Sequence, residues 1–223
     1  LVESILIDDI YDTDKEHSFH LWDTQAYTLG IKRLKYEFTQ KGLFTMKEAK
    51  HPKESLVVST DQVMINDLNN YNTLFGGVLM KKLDNNATLS ARRHARVKEC
   101  VTASTDSIDF LYPIQQSDSV CVESYVSYVG NKSMEIFCKV IAEDMMTGER
   151  RMAATAFLTF VALDENKKPV KVPEIIPETE EEKFLYESGK ERAERRRIRR
   201  KHSKTLTQII GLEKPWNLGG EAS

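Results

Sequence analysis

The sequence predicts an α+β fold in which one antiparallel sheet curls around a single long helix. Three observations carry this reading. After Gly77, Leu79, Leu83, Ala87, Ala91 and Ala95 recur every four residues with no Pro or Gly among them, the mark of one helix with a narrow inward row. Four strand-length runs separated by turn signals come next, between Glu99 and Leu163. A further run, SLVVSTDQVMI, precedes the helix. Strand, helix and four sequential strands let a single sheet bury a single helix.

Composition sets the outer bounds. The 223 residues hold one domain with extensions, and a hydrophobic fraction of 40% supplies a sizeable core. Net charge is nearly balanced at −2, no window is apolar enough to span a membrane, and the acidic opening LVESILIDDIYDTD is unlike a signal peptide. A cytoplasmic location is the expectation. Cys100, Cys121 and Cys138 lie in separate predicted strands without metal-ligand spacing, as buried reduced thiols would. No metal or cofactor is expected.

Along the chain, residues 1–45 carry no clear period and read as an N-terminal extension; Met46 begins MKEAKHPKES, which resembles an ordinary enzyme N-terminus, so a natural start at Met46 is an expectation. Residues 46–165 form the domain. Its first strand leads into an Asn-rich loop, the paired Gly76 and Gly77, and the helix. The strand ECVTASTDSIDF comes next, then SVCVESYVSYV up to Gly130. The third run sets Met134, Ile136, Cys138, Val140 and Ala142 on a buried face, against Glu135, Phe137, Lys139, Ile141 and Glu143 on a partly wet one. The fourth, RMAATAFLTFVAL, comes after a turn at Thr147 and Gly148 and is apolar enough for a central strand. Residues 166–178 are a Pro-rich linker. Residues 179–210 form a charged helix capped by Thr179 with Glu182 three residues later, and 211–223 are a tail.

Chemistry gathers at the start of the central helix. Glycines there let a ligand reach the first N–H groups, where the helix dipole supplies roughly half a positive charge. Asn69, Asn70 and Asn72 can donate to a carbonyl or hold a water. Asp84 lies beside the apolar row, partly desolvated, in the place of a general base. Donor end, amide and carboxylate together suggest acyl transfer to water. The basic run ERAERRRIRRKHSK invites a nucleic-acid reading. Its interspersed acids and lack of aromatics favour instead a solvated helix face, or one packed on a neighbouring subunit.

Asn69, the run NTLFGG from Asn72 to Gly77, Asp84, VTAS from Val101, DFLYPI from Asp109, MTGERRMAATAFLTFVALDE and IPETEEEK occur in one order. Together they resemble the acyl-CoA thioesterases of the hot-dog fold, the bacterial acyl-CoA hydrolases in particular, over roughly Leu56 to Leu206. Two positions depart from the family pattern. Asn85 stands where a second acid is frequent, and Ser117 where a Gly is usual.

The resemblance implies hydrolysis of acyl-CoA to free fatty acid and coenzyme A. Asp84 would be general base or nucleophile, the Gly77 N–H the oxyanion donor, and Asn69 the residue orienting water or carbonyl from the other subunit of a dimer. Asn72, Phe75 and Gly76 would contact substrate. Arg92 and Arg93, with Asn131, Lys132 and Ser133 of the turn GNKS, would meet the phosphates or pantetheine of coenzyme A, whereas Arg96 reads as a surface charge. A dimer at least, and a trimer of dimers (a hexamer), is implied. A non-catalytic acyl-CoA or nucleotide sensor of the same fold is the alternative, and a hydratase would want a His where this loop has asparagines.

Overall fold

A computed structural model describes residues 34–38 and 44–214. A small antiparallel hairpin, β1 (Leu34–Phe38) and β2 (Phe44–Glu48), comes first and runs through position 46. The remainder of the segment read as an N-terminal extension lies outside the described residues, as does most of the tail.

The main sheet has five antiparallel strands: β3 (Val57–Gln62), β4 (Glu99–Phe110), β5 (Asp118–Val129), β6 (Ser133–Asp144) and β7 (Arg150–Leu163). Their spatial order is β3-β5-β6-β7-β4, so β3 and β4 are edges. Helix α1 (Gly76–Ala95) fills the concave face, giving the hot-dog architecture. Its Leu79, Leu83, Ala87 and Ala91 are buried against Val122, Met134, Ile136, Leu158 and Phe160. Small residues at 87 and 91 bring backbone close to strand.

The inward row does not end where a strict four-residue spacing puts it. Each step of four overshoots a turn by about 40°, so Ala95 has rotated to a half-buried flank. Asn86, Ser90 and His94, seven residues beyond Leu79, Leu83 and Ala87, take the inner side. Each is polar, and each has a backbone acceptor. The Asn86 amide donates to the Val122 and Val57 carbonyls at 2.9 and 3.3 Å, and Ser90 donates to the Ser124 carbonyl at 2.9 Å. His94 Nε2 lies 2.6 Å from the Pro173 carbonyl. That last contact pins the Pro-rich segment to the domain, where Val172 and Ile175 enter the core. The expected linker is therefore a packed strap.

Strand β4 breaks its alternation twice, with register shifts between Thr102 and Ser104 and between Thr105 and Ser107. Each shift inserts a residue and turns the next stretch of strand over to the other face. Thr102 thus sits opposite Phe160 on the helix side, while Ser104 sits opposite Thr159 on the outer side.

Helix α2 (Glu180–Ile209) crosses the outer face, its N-terminus closed by the expected Thr179 and Glu182 capping box. Leu185 packs on Tyr125 and Phe137, and Gly189 lies on Tyr128 closely enough that a side chain there would strike the ring. Three arginines of the run dock on the chain's own sheet, while Arg195 and Arg197 lie on the solvent side and pair with Glu191 and Glu194 of the same helix. Arg192 and Arg196 hold the buried Glu135, with Arg192 Nη2 2.7 Å from Oε1 and its guanidinium over the Phe157 ring. Arg199 binds Asp106 of β4. Spacings of four and three put these arginines on one helix face. They also explain why Glu135 and Phe137, on the face of β6 expected to be partly wet, are buried. No helix among the described residues is long and apolar enough to cross a membrane.

Candidate active site

The loop before α1 is built by Asn69. Its side-chain oxygen accepts the N–H groups of Tyr71 (2.8 Å) and Thr73 (3.2 Å), and its amide donates to Thr73 Oγ1 at 2.9 Å. That amide has two N–H bonds, and Thr73 takes one. Asn72 occupies the left-handed region at φ 59°, so its place in the loop has a backbone reason, since Asn tolerates that region. The loop is anchored by Leu74 N–H to the Ile114 carbonyl and Phe75 N–H to the Asp67 carbonyl, both at 2.8 Å.

Phe75 then caps α1 without a side-chain hydrogen bond, and Gly76 and Gly77 present the first two N–H groups of the helix, which have no acceptor within it. The exposed Phe75 ring lies over Gly77: a Cβ there would sit 2.6 Å from it. Gly76 faces Phe110 at the end of β4. Phe75, Met80, Phe110, Leu111 and Tyr112 leave large apolar surface uncovered around this helix start.

Asp84 projects from the flank of α1 toward β4, where Thr102 donates its hydroxyl to Oδ1 at 2.8 Å. Behind it lies Cys138, whose thiol is pushed well above its usual value by burial and then by the Asp84 charge. Burial likewise raises Cys100 to about 11. Neither thiol is a ready nucleophile.

Arg92, two turns past Asp84, lies on the same flank and acts electrostatically on Cys100. Arg93 points the other way and donates to the Leu56 carbonyl beside β3. Arg96 closes the helix in the left-handed conformation, φ 54°. Asn131, Lys132 and Ser133 form the β5–β6 turn, closed by Gly130 N–H to the Ser133 carbonyl at 2.8 Å. Ser133 pairs with Val161, which pairs in turn with Val101, so this turn lies at the end of the sheet where α1 finishes. The glycines lie at the opposite end, near Phe110 and Ala154. The predicted residues thus form two groups in one protomer: Asn69, Asn72, Phe75, Gly76 and Gly77 at one end of α1, and Arg92 with residues 131–133 at the other. Asp84 stands between. Thr102 and Phe110 are additions that sequence reasoning assigned no role. Among the described residues no cluster of His, Cys, Asp and Glu could hold a metal.

The thioesterase superfamily model matches residues 71–149. An uncharacterized acyl-CoA thioester hydrolase of Bacillus subtilis (strain 168) is 57% identical over 169 residues, covering 76% of this chain and 98% of the relative. The structure of an acyl-CoA hydrolase from Staphylococcus aureus, solved with butyryl coenzyme A, coenzyme A and coenzyme A disulfide, superposes with a TM-score of 0.69 at 40% identity, over 72% of this chain and 98% of that one. Alanine variants of that enzyme at an Asp, a Thr and an Asn have also been solved. The Asn and Asp stand at the same sequence separation as Asn69 and Asp84, and the Thr comes after the Asp by one residue fewer than Thr102 after Asp84. A hexameric acyl-CoA thioesterase matches with a TM-score of 0.66 at 39% identity, over 68% of this chain and 96% of that one. By sequence and by fold alike, the chain belongs to the hot-dog thioesterase superfamily, among its acyl-CoA hydrolases.

Proposed function

We propose that the chain hydrolyses acyl-CoA thioesters at a site shared between two subunits. The observation that carries this is the Asp84–Thr102 pair, set on the flank of α1 that faces the open edge strand β4. Seven residues separate Gly77 from Asp84, a rise of about 10 Å. One protomer's helix start and carboxylate therefore cannot act on the same carbonyl. A two-fold pairing across β4 runs the two copies of α1 antiparallel and carries the glycine end of one toward Asp84 of the other.

In that arrangement Asp84 takes a proton from water as the water attacks the thioester carbonyl, and Thr102 fixes the carboxylate that receives it. The Gly77 N–H, at the positive end of the helix, donates to the developing oxyanion. Asn69, its oxygen held by its own loop, directs an amide N–H at the carbonyl or the water. The tetrahedral intermediate then expels the coenzyme A thiolate, which takes up the proton held by Asp84 and leaves as thiol. Phe75, Met80 and Phe110 supply an apolar wall for the acyl chain. Arg92 and the 131–133 turn lie far enough from the glycines, about 24 Å along α1 for Arg92, to meet the phosphates of a long coenzyme A arm.

The hexameric relative supports assembly beyond the dimer. Three free cysteines suit a reducing cytoplasm. The test is free-thiol release from acyl-CoA esters of increasing chain length, wild type beside Asp84→Ala. Turnover that disappears in the variant while assembly persists is expected. Tight coenzyme A binding with no turnover on any ester in the wild type would make the protein a sensor instead.

A further inference from the structure

Helix α2 is not near the proposed chemistry, yet a chain of direct contacts joins them. Arg199 Nη2 lies 2.5 Å from Asp106 Oδ1, and its Nη1 donates to the Asp106 main-chain carbonyl at 2.9 Å. Arg196 reaches the other carboxylate oxygen at 3.4 Å. Thr159 of β7 donates to that same oxygen at 2.6 Å, and Ser104 donates to Oδ1 at 2.6 Å. Asp106 is nearly buried under this canopy, and it belongs to the second bulge of β4. Ser104 closes the first bulge. Two residues upstream, on the opposite face of the strand, is Thr102 with its hydroxyl on Asp84.

We propose that Arg199 and Asp106 are positioning residues for hydrolysis: they clamp the double bulge of β4 from the outer face and so aim Thr102 at Asp84. The inference rests on Asp84 being the general base. The physical reason is the flip. A strand in regular register would put residues 102 and 104 on one face, and only the bulge places Thr102 inward while Ser104 points out. Each inserted residue interrupts the ladder between β4 and β7, leaving Asp106 without a paired residue there, so the bulge gains from an outside hold. The bidentate contact of Arg199 with the carboxylate and the main-chain carbonyl of one residue supplies it.

The test is a double-mutant cycle in the full chain, monitored as steady-state thiol release at an enzyme concentration high enough that slow variants remain readable. Arg199 is half exposed, and its removal leaves the Glu135 contacts of α2 in place. Arg199→Ala is expected to lower kcat about tenfold with KM within about twofold, the scale for a small misplacement of a reacting group. In a Thr102→Val background it is expected to cause no further loss. Arg199→Lys, keeping one contact, recovers part of the rate. Arg195→Ala, whose residue pairs with Glu191 on the solvent side of the helix, leaves it unchanged. Equal losses in both backgrounds, or full activity in Arg199→Ala, overturn the proposal. Asp84→Ala separates the two readings: if it retains turnover, the general-base reading fails. An inert Asp84→Ala beside a fully active Arg199→Ala sinks only the role of α2.

Discussion

The Thr102 hydroxyl on β4 donates to the Asp84 carboxylate on α1 at 2.8 Å, tying the edge strand to the flank of the central helix. A hydrogen bond to a charged acceptor contributes roughly 1.5–3 kcal/mol. Thr102→Val, which keeps the shape and removes the donor, is expected to lower kcat by about one to two orders of magnitude. Thr102 is exposed in the protomer, so the melting temperature should stay within a few degrees. Steady-state thiol release beside a thermal melt checks both, and a variant with wild-type kcat removes Thr102 from the reaction.

The two glycines at the helix start should respond differently to one methyl group. At Gly76 a Cβ meets Phe110 at 3.5 Å, an ordinary contact, whereas at Gly77 it comes within 2.6 Å of the Phe75 ring. Phe75 is exposed and can swing aside, so Gly77→Ala should fold. The displaced ring then enters the space where substrate approaches the N–H. The expected result is kcat/KM reduced at least about tenfold in Gly77→Ala. Gly76→Ala should stay near wild type and be up to about 0.5 kcal/mol more stable. Equal activity in both variants would remove the Gly77 N–H from the reaction.

Period, turn residues and motif order make the central helix, the four strands after it, the α2 cap and the split of Asn69, Gly77 and Asp84 along one loop and helix legible in the chain. Thr102 is not, because two inserted residues reset the alternation of β4, and no periodic reading of ECVTASTDSIDF says which residues face the helix. The arginines of α2 are not either. A local sequence shows charge, but their partners Glu135 and Asp106 come from strands far away in the chain, and only the folded sheet places two carboxylates under one helix face.

Removing the buried Glu135 carboxylate should unfasten α2. Arg192, Arg196 and Ser127 converge on it, and deleting one side of a buried ionic cluster leaves uncompensated charge, typically about 3–5 kcal/mol. Glu135→Ala is expected to lose stability on that scale and to expose α2 to limited trypsin cleavage within its arginine run at temperatures where the wild type resists. Gly189→Ala should share the cleavage phenotype by a different route, since its side chain would collide with Tyr128. Wild-type resistance in both variants would mean that the remaining contacts, Leu185 on Tyr125 and Phe137 and Arg199 on Asp106, are enough to hold the helix.

His94 makes stability depend on pH. Its ring is fully buried, and burial lowers its pKa from 6.5 to about 4, against the opposing pull of the Pro173 carbonyl and with help from Lys50. As the neutral ring donates from Nε2 to that carbonyl, protonation must occur at Nδ1, which has no hydrogen-bond partner. Above pH 6.5 both folded and unfolded chains hold the neutral ring, and the stabilisation is complete. As pH falls toward 4 the unfolded chain takes up a proton that the native state refuses, so stability is lost through that window, by about 3 kcal/mol in all. Urea denaturation at about pH 7 and about pH 4.5, at one fixed protein concentration, should show the wild type losing more than His94→Gln by roughly that amount. Carboxylates titrate in the same range in both proteins, so the difference between them isolates the histidine. Identical pH dependence in the two would mean that the Pro-rich strap opens and lets water reach Nδ1 before the chain unfolds.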